Sequence, residues 1–367
     1  MEFCDLFSGI GGISLALAPL GIRTVLYCEN DKYCQHVLAK SMNSGKLDKA
    51  PIHSDINNLH LGNIKPIMIG GGFPCQDISN SGLLKGITNG KQSSLFFQII
   101  RLVDENESIK FVFLENVSNI IKCGMTEVIK ELKNRGFDLY WTMKSASSVG
   151  APHLRNRWFC LAAKQSDIIY DYIPNDGNIP KNVWNSANEP RRVSFRPEIK
   201  YDPTFDDKWI HRCHALGNSV LPCVVRSAFV ELYNLYLSGP GTNGINLELK
   251  YPYPENGIIK GDFFYSLPKS KKRNTENFNF DVKILDNVQI VRNTLPTPRR
   301  FVTHASVVTK RSVHDLPTVL INSTLAIEYI KNELELKELP SKLSTLCVPN
   351  VNYIEWMMGY DKDWTKI

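Results

Sequence analysis

The first 165 residues alternate short apolar segments with amphipathic ones, and this alternation restricts the possible folds more than any other feature of the chain. The predicted strands are 2–6, 23–28, 66–70, 110–115, 139–145 and 158–163, and the predicted helices are 13–18, 32–42, 94–104 and 125–135. Strands that alternate with helices form βαβ units, in which helices cover both faces of a mainly parallel sheet. The sequence therefore predicts an α/β domain.

The rest of the chain has a different character. Residues 165–213 are rich in Asn, Pro and Asp and lack periodicity, which predicts a long connection. A helix is predicted at 221–237, and the Ser-Gly-Pro-Gly sequence at 238–241 is a strong breaker. Short β-type runs follow, at 288–291 and 302–308. We therefore predict one domain over 1–237 and a smaller, irregular, β-rich domain over 238–367.

Composition excludes several classes of protein. With 43% hydrophobic and 22% charged residues, the chain is not disordered as a whole. Its apolar runs are too short for a membrane span, and it lacks the basic start of a signal peptide. Nine cysteines without paired short spacing predict thiols in a reducing compartment. We expect a soluble, intracellular protein, whose net charge of +6 is compatible with a polyanionic partner.

A glycine-rich turn, Asp-Leu-Phe-Ser-Gly-Ile-Gly-Gly at 5–12, follows the first strand. Glycines let a ligand approach the backbone, and an acidic residue about 20 positions later typically binds a ribose hydroxyl. Glu29 has that position after the second strand, and Asp55 follows a later strand end. The turn therefore indicates nucleotide binding, although a plain tight turn with surface carboxylates is the alternative.

Three other strand ends carry reactive side chains. Cys75 lies in Gly-Gly-Gly-Phe-Pro-Cys-Gln (70–76), where a thiolate could act as a nucleophile or the side chain could simply be buried. Glu115 ends the next strand, where its side chain could act as an acid or could simply be a capping residue. His153, Arg155 and Arg157 occupy every second position, which predicts that they share one face of a strand. Such a face is suited to bind a phosphate or a base carbonyl, and the alternative is an exposed face of an edge strand.

In combination, these motifs resemble those of the cytosine-C5 DNA methyltransferase family. The glycine turn, Pro-Cys-Gln, Glu-Asn-Val, Arg-x-Arg and Gly-Asn-Ser-Val (217–220) occur in that order, and the resemblance covers 1–165 and 214–237. It implies a Rossmann-like fold of the S-adenosylmethionine-dependent methyltransferases. It also implies S-adenosylmethionine as cofactor and S-adenosylhomocysteine as product. The cofactor residues implied are Phe7, Ser8, Gly9, Gly11, Gly12, Glu29, Asn30, Asp55, Ile56, Pro74, Asn218, Ser219 and Val220.

The resemblance also implies how the chemistry is distributed. Cys75 would add to C6 of cytosine, Glu115 would contact N3 and the exocyclic amine, and Arg155 with Arg157 would hold O2 and a neighbouring phosphate. The target base would be flipped out of the duplex, and a loop from 76 to about 94 would close over the DNA. The loop residues expected to contact DNA are Gln76, Ser79, Ser81, Lys85 and Lys91.

The chain departs from the family pattern in the order of its parts. Only 59 residues separate Arg157 from Gly217, too few for the usual recognition domain, and a long segment follows 237 instead. We therefore expect a rearranged order with target recognition at the C-terminus. The residues there expected to bind DNA are Arg299, Arg300, Lys310 and Arg311. On this interpretation, a chain ended near Ser238 would keep cofactor binding and lose specific DNA binding.

The sequence leaves other functions open. A tRNA cytosine-C5 methyltransferase would use the same chemistry, and a catalytically inactive DNA-binding relative would keep the fold. A dinucleotide-dependent dehydrogenase would explain the glycines but not Pro-Cys-Gln. The cluster 211–214 (His-Arg-Cys-His) lacks a second ligand pair, so no metal site is predicted. Expected partners are double-stranded DNA and, separately, a cognate restriction endonuclease; a monomer without membrane association is expected.

Overall fold

The computed structural model describes residues 1–74, 95–164, 208–239, 253–261, 263–267 and 347–367, with shorter pieces between them. These pieces are 184, 189–191, 193–196, 200, 202, 280–283, 289–292 and 324–335. The chain forms two compact units. Unit 1 comprises Met1–Ser145, Asn156–Ile179 and Pro222–Lys271, and unit 2 comprises Ala146–Arg155, Pro180–Leu221 and Lys272–Ile367.

Within the described residues the strands and helices follow one another in this order. The strands are β1 (Glu2–Leu6), β2 (Arg23–Cys28), β3 (Ile52–His53), β4 (Met68–Gly72), β5 (Phe111–Val117), β6 (Phe137–Ser145), β7 (Asn156–Lys164), β8 (Val193–Phe195), β9 (Gly257–Lys260), β10 (Phe263–Ser266), β11 (Phe280–Lys283), β12 (Gln289–Arg292) and β13 (Cys347–Pro349). The α-helices are α1 (Gly12–Leu17), α2 (Lys32–Asn43), α3 (Phe96–Glu105), α4 (Ile120–Cys123), α5 (Met125–Lys133), α6 (Trp209–Asn218), α7 (Pro222–Ser238), α8 (Thr324–Leu334) and α9 (Val351–Met357).

Unit 1 is built on one nine-stranded sheet with the order β10-β9-β6-β7-β5-β4-β1-β2-β3. Five adjacent strands, in the order β5-β4-β1-β2-β3, are all parallel to one another. From β7 outward every pairing is antiparallel. The predicted α/β class and its mainly parallel first half are therefore confirmed. The carboxyl ends of β1, β2, β4 and β5 meet at one edge of the sheet, which is where ligands bind in such folds.

The apolar patterning explains why these segments form this sheet. Strand β5 is buried from Phe111 to Asn116, as a strand covered on both faces must be. Helices α3 and α5 place their apolar faces in the same core as the sheet, with Ile99, Leu102 and Val128 fully buried. The core therefore holds the strand ends of the site rigidly in place.

The sheet includes residues beyond the predicted domain boundary at 238. Strand β9 pairs with β6, and the Trp141 indole donates a hydrogen bond to the carbonyl of Pro254 (3.1 Å). A Cβ on Gly257 would lie 2.4 Å from the Trp141 ring, so only glycine fits there. The observed division thus differs from a single boundary at 238, because β9 and β10 extend the sheet of unit 1. The recognition role of the later residues stays a prediction.

Unit 2 contains α6, β8, β11, β12, α8, β13 and α9. Strand β8 pairs with β13 and β11 pairs with β12, both antiparallel. The long connection predicted for 165–213 is wrong at its end, because α6 begins at Trp209, where an amphipathic helix replaces the polar segment. The β-type run predicted at 288–291 coincides with β12. The run at 302–308 lies outside the described residues.

In the described part of the chain, the stretch Trp209–Ser238 is long and apolar enough to cross a membrane by length and composition alone. It consists of two helices, α6 and α7, separated at 219–221. More than half of its most apolar window, 56%, is buried inside the protein, as in the core helices of soluble proteins.

Candidate active site

The glycine-rich turn after β1 has an unusual backbone. Phe7, Gly9 and Gly11 all have positive φ, at 57°, 54° and 83°. Such a value costs a non-glycine residue about 1–3 kcal/mol, and strain of this kind concentrates at ligand sites. A Cβ built on Gly11 would lie 2.5 Å from Cδ1 of Leu47, whereas one built on Gly9 would meet no described atom within 4 Å. Gly11 thus packs against the protein, and Gly9 leaves its backbone open to a ligand.

Glu29, at the end of β2, faces this turn. Its carboxylate accepts hydrogen bonds from the backbone N–H of Gly9 (2.7 Å) and of Asp31 (2.8 Å). The Gln35 amide donates to the Glu29 carbonyl (2.6 Å), which fixes the backbone beneath the side chain. Burial raises the pKa of Glu29, while the two N–H donors oppose that shift. A carboxylate held beside an open glycine backbone is suited to accept hydrogen bonds from sugar hydroxyls.

The other predicted cofactor residues of unit 1 surround this edge of the sheet. The Ser8 hydroxyl donates to the Asp5 carbonyl (2.6 Å) and accepts from the Cys28 N–H (3.1 Å), so it links β1 to β2. Asp55 caps a short 3-10 helix, Ile56–Asn58, by accepting from the Asn57 N–H (2.9 Å). Gly12 starts α1, Ile56 is buried, Pro74 is partly buried and Asn30 is exposed.

Asp5 was not predicted as a site residue, yet it is the most perturbed carboxyl beside the turn. It is fully buried, and its Oδ2 accepts a hydrogen bond from the Ser14 hydroxyl (2.6 Å). No hydrogen-bond partner for its Oδ1 lies within the described residues. Burial raises the pKa of Asp5 to about 7. The motif Asp-Leu-Phe-Ser contained this signal, because an acidic residue inside a buried strand requires an explanation.

Glu115 and Arg157 form the centre of the second predicted group. They lie on adjacent antiparallel strands, where Val117 is opposite Arg157 and Glu115 is opposite Phe159. The Arg157 Nε lies 3.0 Å from Oε1 of Glu115, and both side chains are largely buried. A Cβ on Gly72, which is in register with Glu115 on β4, would lie 2.7 Å from Oε2. The carboxylate is therefore fixed between a guanidinium and a glycine backbone.

Asn116 connects this pair to the strand end that precedes Cys75. The Asn116 amide donates to the carbonyl of Phe73 (3.2 Å), and its own oxygen accepts from the Val117 N–H (2.9 Å). The side chain is almost completely buried. Asn116 thereby fixes the backbone two residues before Cys75, through a contact between β5 and the residue after β4 that no local sequence pattern indicates.

Arg155 lies outside the strand that carries Arg157. Strand β7 begins at Asn156, so His153 and Arg155 do not share a strand face with Arg157, and that expectation is wrong. The strand is preceded by segment 146–155, which begins with a 3-10 helix (Ala146–Val149) and belongs to unit 2. The buried Arg155 guanidinium donates to the carbonyls of Gly217 (3.1 Å) and Ser219 (2.5 Å). Its observed contacts therefore hold the turn that follows α6.

Within that turn, Asn218 is exposed while Ser219 and Val220 are buried. The Ser219 hydroxyl donates to the Leu216 carbonyl (2.8 Å), which closes the end of α6. The remaining predicted residues lie outside the described part of the chain. They are Cys75, Gln76, Ser79, Ser81, Lys85, Lys91, Arg299, Arg300, Lys310 and Arg311.

Comparison with known proteins adds independent findings. The family profile described as C-5 cytosine-specific DNA methylase matches residues 1–228. The type II methyltransferase M.CviJI of Paramecium bursaria Chlorella virus IL3A is 28% identical over 301 residues, which cover 77% of this chain and 76% of that relative. The type II methyltransferase M.HhaI of Haemophilus parahaemolyticus is 35% identical over 165 residues, which cover 44% of this chain and 48% of that relative.

Among solved structures, the S. pombe Dnmt2 methyltransferase is similar with 22% identity and a TM-score of 0.36, covering 48% of this chain and 52% of that one. This chain therefore aligns with about three quarters of the length of M.CviJI but with less than half of the length of M.HhaI.

Proposed function

This chain belongs to the C-5 cytosine-specific DNA methylase family, and from that premise we propose that it methylates cytosine in duplex DNA through a covalent adduct with Cys75. It is a DNA (cytosine-5-)-methyltransferase, as the family assignment and the type II relatives support. The observation that carries the proposed mechanism is the fixed Glu115–Arg157 pair. It lies on β5 and β7, next to the strand end, held by Asn116, from which Cys75 follows.

S-adenosylmethionine is the proposed cofactor, and the residues of the glycine turn fit it. Gly9 offers an open backbone at positive φ, and the Glu29 carboxylate lies beside it to accept ribose hydroxyls. Phe7 supplies an aromatic ring for the adenine, and Asp55 with Ile56 supplies the polar and apolar groups for its edge. By the resemblance of the Gly-Asn-Ser-Val motif, Asn218, Ser219 and Val220 contribute to the same binding. The cofactor supplies an electrophilic methyl group, and S-adenosylhomocysteine is the product.

Cys75 makes the reaction possible, because cytosine C5 is a poor nucleophile. Its thiolate adds to C6, so that a carbon–sulfur bond forms and electron density moves to C5. C5 then takes up the methyl group. Loss of the C5 proton to a base re-forms the C5–C6 double bond and expels the Cys75 thiolate. The enzyme is regenerated, and the ring has exchanged one hydrogen for a methyl group.

Glu115 and Arg157 stabilise the ring while it carries the adduct. A carboxyl group at N3 and the exocyclic amine offsets the charge that develops when C6 is attacked. Because Glu115 and Arg157 are already paired and largely buried, little reorganisation is needed when the base arrives. We propose that Arg157 holds O2. Arg155, whose guanidinium is engaged by two carbonyls, contributes by fixing the turn at 217–219.

Duplex DNA is the proposed substrate, and the target base must leave the stack to reach Cys75. Gln76, Ser79, Ser81, Lys85 and Lys91 are proposed to close over the DNA, and Arg299, Arg300, Lys310 and Arg311 to contact it from the C-terminal part. The type II relatives favour a restriction-modification or viral DNA-modification setting, with any endonuclease acting separately. We further propose an intracellular monomer, since one flipped base requires one catalytic unit.

A mechanism-based trap tests this function. Duplex DNA that carries 5-fluorocytosine blocks the last step, because fluorine cannot leave C5 as a proton does. We expect the enzyme with S-adenosylmethionine to form a denaturation-resistant DNA adduct, and Cys75→Ser to form none. The matched control is Cys123→Ser, which replaces a partly exposed free cysteine on α4 and should leave the adduct intact. An adduct that survives Cys75→Ser, or one that forms only on tRNA, would contradict the proposal.

A further inference from the structure

The turn at 217–220 is held by side chains from distant parts of the sequence. Arg155 donates to the carbonyls of Gly217 and Ser219, as described above. The Tyr360 hydroxyl donates to the next carbonyl, that of Val220, over 2.9 Å. This bond is buried and joins residues 140 positions apart. Three of the four carbonyls at 217–220, those of Gly217, Ser219 and Val220, are thus held from outside the turn.

The position of Tyr360 is set by the chain reversal that follows the end of α9 at Met357. Gly359 has a φ of 72°, which reverses the chain, and the Tyr360 N–H donates to the Glu355 carbonyl (2.9 Å). The Tyr360 ring packs on Trp364, with 5.3 Å between the ring centroids. The ring is therefore fixed by α9 and by the residues that follow it. If the 217–220 turn moved, the Tyr360 hydroxyl could keep its bond only by disturbing this packing.

The same C-terminal residues hold α6, the helix that leads into the turn. Arg212 of α6 and Glu355 of α9 form an ion pair over 2.9 Å, and both side chains are almost completely buried. Glu355 also accepts from the Thr365 hydroxyl (2.6 Å) and N–H (2.8 Å). The Trp209 indole donates to the Pro349 carbonyl (2.7 Å). A buried ion pair satisfied on every side is rigid, and breaking it is costly.

We infer that residues 347–365 form a C-terminal clamp that holds the 217–220 turn in its cofactor-binding conformation, with the Tyr360 hydroxyl as its positioning group. The inference rests on the proposed function, in which Asn218, Ser219 and Val220 contribute to S-adenosylmethionine binding. It gives the C-terminus a role in the catalytic machinery in addition to any role in DNA recognition. It also reverses the expectation that a chain ended near Ser238 keeps cofactor binding, because such a chain lacks the clamp.

The test is Tyr360→Phe in the full chain, which removes one hydroxyl and keeps the ring. The matched control is Tyr140→Phe, which removes a hydroxyl from a buried tyrosine on β6, outside the clamp, and leaves the Tyr360–Val220 bond in place. For each protein we would measure the Kd of S-adenosylmethionine by calorimetry, the KM values for cofactor and for DNA, and the rise in Tm on adding S-adenosylhomocysteine. Loss of one buried hydrogen bond corresponds to about a three- to tenfold change in an equilibrium constant.

We expect Tyr360→Phe to raise the Kd and KM for the cofactor by about three- to tenfold, to leave the KM for DNA unchanged and to reduce the ligand-induced rise in Tm. Tyr140→Phe should leave all four values unchanged. A general loss of stability would affect both substrates equally, so the split between the two KM values identifies positioning. Unchanged cofactor affinity in Tyr360→Phe, or an equal loss in both variants, would overturn the clamp. An unsubstituted chain that binds no S-adenosylmethionine would overturn the proposed cofactor, and the clamp with it.

Discussion

Gly72→Ala should impair catalysis without unfolding the protein. A Cβ at this position would lie 2.7 Å from Oε2 of Glu115, whereas ordinary contacts of such a carbon begin at 3.4 Å. The carboxylate must therefore move by about 0.7 Å, and it can do so because it is the end of a flexible side chain. Since a misplacement of about 1 Å can cost on the order of 100-fold in rate, we expect kcat to fall by about 10- to 100-fold.

The measurement is methyl transfer to duplex DNA under saturating cofactor, together with thermal unfolding. Alanine is favoured over glycine within a strand by roughly 0.5–1 kcal/mol, which offsets part of the strain, so the Tm should change by only a few degrees. Gly71→Ala is the contrasting variant, because its Cβ would lie 1.6 Å from the backbone carbonyl of Leu6 and should prevent folding. A Gly72→Ala enzyme with parental kcat, or one that unfolds like Gly71→Ala, would show that Gly72 does not position the Glu115 carboxylate.

Two further substitutions test the described residues of the site. Burial raises the pKa of Asp5 to about 7, so its contribution to stability is present below pH 4 and is lost as the pH rises to 7. As the pH is raised from 5 to 8, the unfolding free energy of the neutral variant Asp5→Asn should therefore increase by about 3 kcal/mol relative to that of the parent, measured by urea unfolding. An equal pH dependence of the two proteins would contradict this. Asn116→Ala removes the bond to the Phe73 carbonyl and should lower the single-turnover methylation rate by about tenfold or more, with a cost of about 1–3 kcal/mol in urea unfolding. A parental rate in Asn116→Ala would show that this bond does not position the residues before Cys75.

The local elements of the fold could be predicted from the sequence because their signals are local. Strand β1 was predicted at 2–6 and is observed at Glu2–Leu6, and the helix predicted at 221–237 is observed at Pro222–Ser238. Glu29 was found by its spacing from the glycine turn, and its carboxylate does face Gly9. Hydrophobic periodicity and turn residues are sufficient for such features.

The remaining features depend on pairings that no local pattern encodes. Strand β9 joins β6 across more than 100 residues, after a segment that looks like a domain boundary. The contact between Gly72 and Glu115 depends on cross-strand register, and the bond from Tyr360 to Val220 joins residues 140 positions apart. The alternation of His153, Arg155 and Arg157 was misleading, because the strand begins only at Asn156.

The proposed function is tested most directly by methyl transfer from labelled S-adenosylmethionine to unmethylated duplex DNA and, in parallel, to tRNA, followed by bisulfite sequencing of the product. We expect label in the duplex, with conversion-resistant cytosines at one recurring short motif, and no label with Cys75→Ser. Label in tRNA alone would contradict the proposed substrate. Labelled DNA without conversion-resistant cytosines, or full transfer by Cys75→Ser, would contradict the C5 chemistry.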